Sequence, residues 1–248
     1  GPDLFGIGSN MVKSLRYWLK AFNLISENST KGAVLTELGN IILSEDPYIE
    51  DTFTLWVLHS QIAKNIAEAT SWYMFFNRCD IEEMDKEKIE RILLREITKY
   101  AMGQTFSDKS VKNDLDVILS MYGKGKEIED PEDKSVSPFV QLKLIKNVEG
   151  QYSKHTPDSR VINEWNVLYE LAVMMDEKEN ISIEQVLNGE SGISKIYQIK
   201  SVVANEFLDR LDAMDYIRVD RTAGLDIIYK NREFTPDSVM LEYYKKHR

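Results

Sequence analysis

Apolar residues recur at three- and four-residue intervals near the start of the chain. Met11, Leu15, Trp18, Leu19 and Phe22 form one stripe, so the spacing predicts an amphipathic helix over 10–22, with Ser9 or Asn10 able to cap its start. Leu24-Ile25, a polar turn over 26–32 and the run Ala33-Val34-Leu35 then read as a hairpin, and Thr36 opens a short helix over 37–43. Helix, hairpin and helix in that order form a winged-helix-like pattern. Pro47 disfavours helical geometry at Asp46 and ends the element. A long helix is predicted over 51–76, its buried stripe marked by Leu55, Leu58, Ile62 and Ile66, and two more over 86–102 and 108–122.

Residues 124–137 are rich in Gly, Glu, Asp and Pro with almost no apolar positions, which predicts an exposed linker. Beyond it come a short apolar element over 139–148, a hairpin at Gly150, and a helix over 158–175 carrying Val161, Trp165, Leu168 and Ala172. The tail repeats the opening logic. A short helix over 181–187 precedes a longer one over 201–214 with Val203, Phe207, Leu211 and Met214 inward, and strands over 216–219 and 225–229 flank the turn Thr222-Ala223-Gly224. The expected fold is mainly α, with a few short β-hairpins. Winged-helix-like modules at 1–50 and 181–248, the first truncated at its N-terminus, flank a helical middle over 51–135 and a connecting hairpin and helix over 136–180.

Composition narrows the class. The chain has 248 residues, 43% of them apolar, enough for a sizeable core. No apolar run approaches the ~20 residues needed to cross a bilayer. The single cysteine, Cys79, has no intramolecular partner and no Cys or His at metal-ligand spacing, which disfavours a disulfide scaffold and a zinc module and fits the cytoplasm. A net charge of -10 argues against indiscriminate coating of nucleic acid, so any DNA site must be a local basic patch.

One such patch is legible. Lys13, Arg16, Tyr17 and Lys20 fall at i, i+3, i+4 and i+7 on the face opposite the apolar stripe, beside Asn10, and Lys31 sits in the hairpin where a wing touches the phosphate backbone. Two readings stand: a DNA-contacting helix, or a solvated face whose cations answer the acids Glu45, Asp46, Glu50 and Asp51. The helix over 201–214 carries more acids than bases and reads as a protein-docking or packing element.

Catalytic signals are sparser. Phe5-Gly6-Ile7-Gly8 lacks the strand, Lys and Ser/Thr context of a phosphate loop. Asp46, Glu50 and Asp51 offer carboxylates suited to Mg2+ or Mn2+, and Asp46 and Asp51 with His59, two turns beyond Asp51, form a candidate catalytic set. The competing reading makes the acids dipole partners of the following helix and His59 a partly buried, hydrogen-bonded histidine. Asp114 and Asp116 point apart on one helix and cannot chelate together. The cluster Trp72, Tyr73, Phe75 and Phe76 reads as core rather than a base-stacking platform.

The blocks GIGSNMVKSLRYWLKAFNLI, LTELG, DPYIEDTFTLWVLH, SWYMFFN, NDLDVILSMYG, TAGLDIIY and LEYY, in this order from Gly6 to Tyr244, resemble an uncharacterised bacterial domain family of Ssp-type DNA-phosphorothioation defence clusters. That resemblance implies a DNA-binding, strand-nicking component of a modification and anti-phage system. Its partners would be DNA and a cysteine desulfurase, an ATPase and an ATP-pyrophosphatase-like sulfur-transfer enzyme, with homo-oligomers also expected. It carries over to Asn10, Arg16, Tyr17 and Trp18 in the first block and Asp46, Asp51, Trp56 and His59 in the third, with both tryptophans expected in the core. Family members carry a His-Glu motif ahead of the Gly6-Ile7-Gly8 block, which this sequence does not show. The alternative within the same machinery is a non-catalytic winged-helix subunit that binds DNA or scaffolds protein.

Overall fold

The computed structural model describes residues 8–28, 30, 32–123, 136–158 and 160–248. The expected linker over 124–137 therefore falls almost wholly outside the described residues, as do Lys31 and the Gly6-Ile7 part of the first block.

The chain opens with α1 (Ser9–Ala21), the hairpin β1 (Ile25–Asn28) and β2 (Gly32–Leu35), and α2 (Glu37–Glu45). Thr36 caps α2 by accepting from the Gly39 N–H at 3.0 Å. Gly39 is required by contact: a Cβ there would lie 2.3 Å from the Leu24 carbonyl oxygen, so α2 seats directly on the backbone leaving α1. The stripe on α1 is buried only at its C-terminal end. Ala21 is enclosed and Trp18 and Phe22 lie against the core, whereas Met11 is 60% and Leu15 50% exposed.

The single helix expected over 51–76 is two helices, α3 (Thr52–Lys64) and α4 (Thr70–Arg78). Asn65 breaks it. Its side-chain amide donates to the carbonyls of Lys20 and Ala21, and its Oδ1 accepts from the Glu68 N–H at 3.0 Å, a local turn that competes with the helical ladder. α3 is buried around nearly its whole circumference, from Phe53 to Ser60 and again at Ile62 and Ala63, and so forms the axis of the molecule. Each large apolar side chain enclosed there contributes about 1.5–3 kcal/mol.

Around it lie α5 (Lys86–Ala101), α6 (Asp108–Gly123), a 3-10 turn (Pro138–Leu142), and the hairpin β3 (Ile145–Val148) and β4 (Gln151–Lys154). The hairpin turns at Glu149-Gly150, both at positive φ, as the sequence led one to expect at Gly150. α7 (Glu164–Met174) starts later than the expected 158, because Asn163 and Asn166 form a reciprocal cap. It too is a core helix. Its Glu170, fully buried, is held by the Lys64 ammonium at 2.7 Å and the Tyr197 hydroxyl at 2.9 Å.

The C-terminal part runs β5 (Asn180–Ser182), α8 (Ile183–Asn188), α9 (Ile193–Ile196), α10 (Ser201–Ala213), β6 (Ile217–Asp220), β7 (Ile227–Lys230) and α11 (Pro236–His247). β5 adds to the hairpin in the order β5-β7-β6. The sequence pattern marks neither β5 nor α11 in the expected scheme, yet α11 packs against both α7 and α2 and so closes the tail onto the opening segment. The architecture is mainly α with small antiparallel strand pairs.

Candidate functional site

The outward face of α1 carries its expected residues, but not as a free basic stripe. Arg16 Nε sits 3.1 Å from Glu27 Oε1 on β1, and Lys20 Nζ lies 3.7 Å from the same oxygen and 2.9 Å from Glu68. Glu68 holds the Lys20 ammonium above the usual lysine range. Tyr17 leans inward, edge-on to Trp18 at 5.3 Å, and burial, with the Asp114 and Glu68 carboxylates, pushes its phenol up to about 12. Asn10 and Lys13 are exposed, and among the described residues Lys13 makes no ion pair. Lys31 lies outside the described residues.

The acidic candidates meet at the joint between α2 and α3. Asp46 ends α2, Asp51 caps α3, and both line an open pocket of about 320 Å3 with Glu45, Glu50, Tyr244, His247 and Arg248. Three of their four oxygens are already occupied. Asp46 Oδ1 accepts the Glu50 N–H at 2.9 Å, and its Oδ2 accepts the Asp51 N–H at 3.1 Å and the Thr54 hydroxyl at 2.6 Å. With that proton committed, the Tyr244 hydroxyl donates to Thr54 Oγ1 at 2.6 Å. Asp51 Oδ1 accepts from the Phe53 N–H at 2.8 Å and the Tyr243 hydroxyl at 3.0 Å. Two aspartates, one threonine and two tyrosines thus clasp α11 to the α2–α3 joint, and Arg248 adds an ion pair to Glu45.

His59 does not join them. It is completely buried, edge-on to Phe76 and Tyr122. A carbonyl only accepts, so Nε2 carries the proton and donates to Ile196 O at 2.7 Å, which leaves Nδ1 to accept from the Tyr122 hydroxyl at 2.8 Å. Burial drops its pKa to about 4, so the ring is neutral at physiological pH. The histidine that does reach the acidic pocket is His247, stacked on Tyr243 at 4.2 Å and donating from Nδ1 to the Tyr243 carbonyl at 2.8 Å. Nearly two hundred residues separate it from Asp51, and no local spacing could have paired them.

Other candidates resolve into packing. Asp114 accepts from Ser71 at 2.6 Å and is raised by burial, while Asp116 pairs with Lys86. Trp72, Tyr73, Phe75 and Phe76 are core, and so is Trp56, whose indole N–H donates to Val161 O. Trp18 is half-buried against Trp72. Among the described residues, no group of three or more His, Cys, Asp or Glu side chains is arranged to hold a metal ion. Nor is any helix long and apolar enough to cross a membrane.

The family model described as "Protein of unknown function (DUF4007)" matches residues 1–244. The chain belongs to that family. Two solved structures share its fold: a crystal structure of SspB and a magnesium-ion-bound crystal structure of SspB. Each has a TM-score of 0.83 at 20% identity and covers 99% of this chain and 77% of the solved one. No curated protein is detectably similar. At that identity the likeness establishes the shape, and a side-chain site has to be argued from this chain alone.

Proposed function

We propose that the chain is a DNA-binding, SspB-like component of a bacterial, cytoplasmic DNA-phosphorothioation and anti-phage defence system. The observation that carries this reading is the fold shared with SspB over 99% of the chain, coinciding with the ordered blocks that resemble the Ssp-type family. Its partners are then DNA and the desulfurase, ATPase and sulfur-transfer enzymes of such a system, with self-association open to measurement. The succession α7-β5-α8-α9-α10-β6-β7, with strand order β5-β7-β6, supports reading this part as a winged helix with α9 as an inserted turn, and α1-β1-β2 supports reading the opening as the last helix and wing of another. Residues 1–50 and 181–248 are therefore proposed as the two modules, 51–135 as the helical middle and 136–180 as the connector. Phosphate contact through Asn10, Lys13, Arg16, Tyr17, Lys20 and Lys31 requires Arg16 and Lys20 to exchange Glu27 and Glu68 for phosphate, a modest cost because solvent-screened surface ion pairs are weak.

The magnesium-bound SspB favours a second reading, strand nicking assisted by Mg2+ or Mn2+ at Asp46, Glu50 and Asp51. The residues do not fit that ion as they stand: Asp46 has both oxygens hydrogen-bonded and Asp51 has one spent on the α3 cap and Tyr243. His59 has no place in such a site, since its ring is sealed in the core. Incubating supercoiled plasmid with the protein in Mg2+, Mn2+ or chelator separates the two readings. Gel retardation without open-circle product supports the binding subunit, and metal-dependent nicking lost in the exposed variant Glu50→Gln supports the nickase.

A further inference from the structure

Apart from the acidic pocket, with which it shares no lining residue, a cleft of about 430 Å3 opens where the C-terminus of α4, the end of β4, α9 and the N-terminus of α10 converge. Its charge is the reverse of the chain's. Arg78, Lys154, Lys195 and Lys200 line it against one acid, Asp80, in a protein whose net charge is -10. Arg78 is answered at the rim by Glu190 at 3.8 Å. Among the described residues the three lysines have no carboxylate within ion-pair distance: Lys195 donates to the Gly189 carbonyl at 2.8 Å, and Lys154 to the carbonyls of Phe76 at 3.1 Å and Cys79 at 2.6 Å.

Lys154 has a structural task, closing the carbonyl end of α4, but an ammonium has three protons and among the described residues it meets two acceptors. Burial lowers its pKa to about 8, an effect that the neighbouring Cys79 and Asp80 offset only in part. Uncharged groups of the same wall are also unpaired. Among the described residues, the Ser194 hydroxyl and both ends of the Gln198 side-chain amide are buried without a hydrogen-bond partner, and Gln198 is held at φ 53, a left-handed conformation that costs a non-glycine residue about 1 kcal/mol or more. Finally, α10 begins at Ser201 with Lys200 as its N-cap and no side-chain cap, so its first-turn N–H groups lack a side-chain acceptor.

We infer that this cleft is a phosphate-binding site, in which Lys195, Lys200, Ser194, Gln198 and the uncapped start of α10 would share the oxygens of one phosphate group. Unpaired cations, unpaired neutral donors and a bare helix N-terminus are each costly or idle in isolation, and one tetrahedral anion satisfies all three. The acidic pocket offers the contrary case, where both Asp46 oxygens and Asp51 Oδ1 are matched by donors from the protein. The phosphate could belong to a DNA backbone or to a free nucleotide, and the site stands whether or not the proposed DNA reading does.

The test is calorimetric titration of the full chain with orthophosphate, with a nucleoside monophosphate and with a short DNA duplex, at constant ionic strength against chloride. Saturable binding of orthophosphate or the monophosphate is expected. It should fall about tenfold in Lys200→Glu and in Ser194→Ala, and be unchanged in Lys109→Glu, an exposed position on α6 that does not line the cleft. Thermal melts in chloride check that each variant is folded. Tighter binding of the duplex, competed by orthophosphate, assigns the source to DNA, and tighter binding of the monophosphate assigns it to a nucleotide. Absence of saturable phosphate binding, or equal affinity in folded Lys200→Glu, overturns the site. Phosphate binding without duplex binding would instead remove the DNA reading and leave the cleft standing.

Discussion

His59 offers a quantitative test of whether the third sequence block is core or catalysis. In the unfolded chain its imidazole has the ordinary pKa of about 6.5, and in the fold burial lowers this to about 4. Because the folded value is depressed, the unfolded state binds a proton first as pH falls. The stability that neutral His59 supplies is therefore intact above about pH 6.5 and drains away as pH approaches 4. Integrating the two titrations, the loss between pH 7 and pH 5 is about 2 kcal/mol from this one group. The assay is urea unfolding at both pH values for the protein and for His59→Gln, whose amide can still donate toward Ile196 O. The original chain should lose about 2 kcal/mol more than the variant over that interval. Parallel losses in both proteins, or an NMR titration placing His59 near 6.5, would refute the reasoning and reopen a solvent-facing role.

Three further outcomes are expected. Gly39→Ala forces a Cβ against the Leu24 carbonyl and should cost about 1–3 kcal/mol in chemical unfolding, where an exposed helical glycine would gain stability instead. Lys64→Met strands the fully buried Glu170 with only the Tyr197 hydroxyl and should cost about 3 kcal/mol, and Lys64→Met with Glu170→Met should recover much of that loss in a double-mutant cycle. Glu27→Gln releases Arg16 and part of the hold on Lys20, so duplex affinity at low salt should rise by up to about fivefold, the equivalent of one exposed ion pair; no change would separate α1 from DNA contact.

The elements that hydrophobic periodicity announced are the ones whose neighbours are local. α1, the first hairpin, α2, α5, α6, the Gly150 hairpin and α10 with its β6–β7 hairpin all appear where the pattern put them to within a few residues. The break at Asn65 was hidden because the apolar spacing runs on through Ile66, while what stops the helix is a tertiary pairing of the Asn65 amide with the end of α1. α11 is announced by Thr235-Pro236 with Ser238 closing a capping box, a signal present in the sequence but without a strong apolar stripe beside it. Met11 and Leu15 show the reverse failure, a stripe that continues beyond the surface it can be buried against.

The acids Asp46, Glu50 and Asp51 did come together, as their proximity in sequence required. Their purpose was not legible, because Thr54 and the α11 tyrosines that occupy the two aspartates answer them from within and across the fold. The basic cleft was invisible for the same reason: Arg78, Lys154 and Lys200 come from three distant segments, and only the packing of α4, β4 and α10 brings them to one opening.

The central claim is that this fold handles DNA, and the direct measurement is fluorescence anisotropy of a labelled duplex titrated with the protein from about 50 to 200 mM salt, where counterion release makes affinity fall steeply. The account predicts saturable binding whose logarithm declines linearly with the logarithm of salt, with a shallower slope in the Lys13→Ala, Arg16→Ala, Lys20→Ala triple variant. No binding at the lowest salt, or a slope that the triple variant leaves untouched, would contradict it.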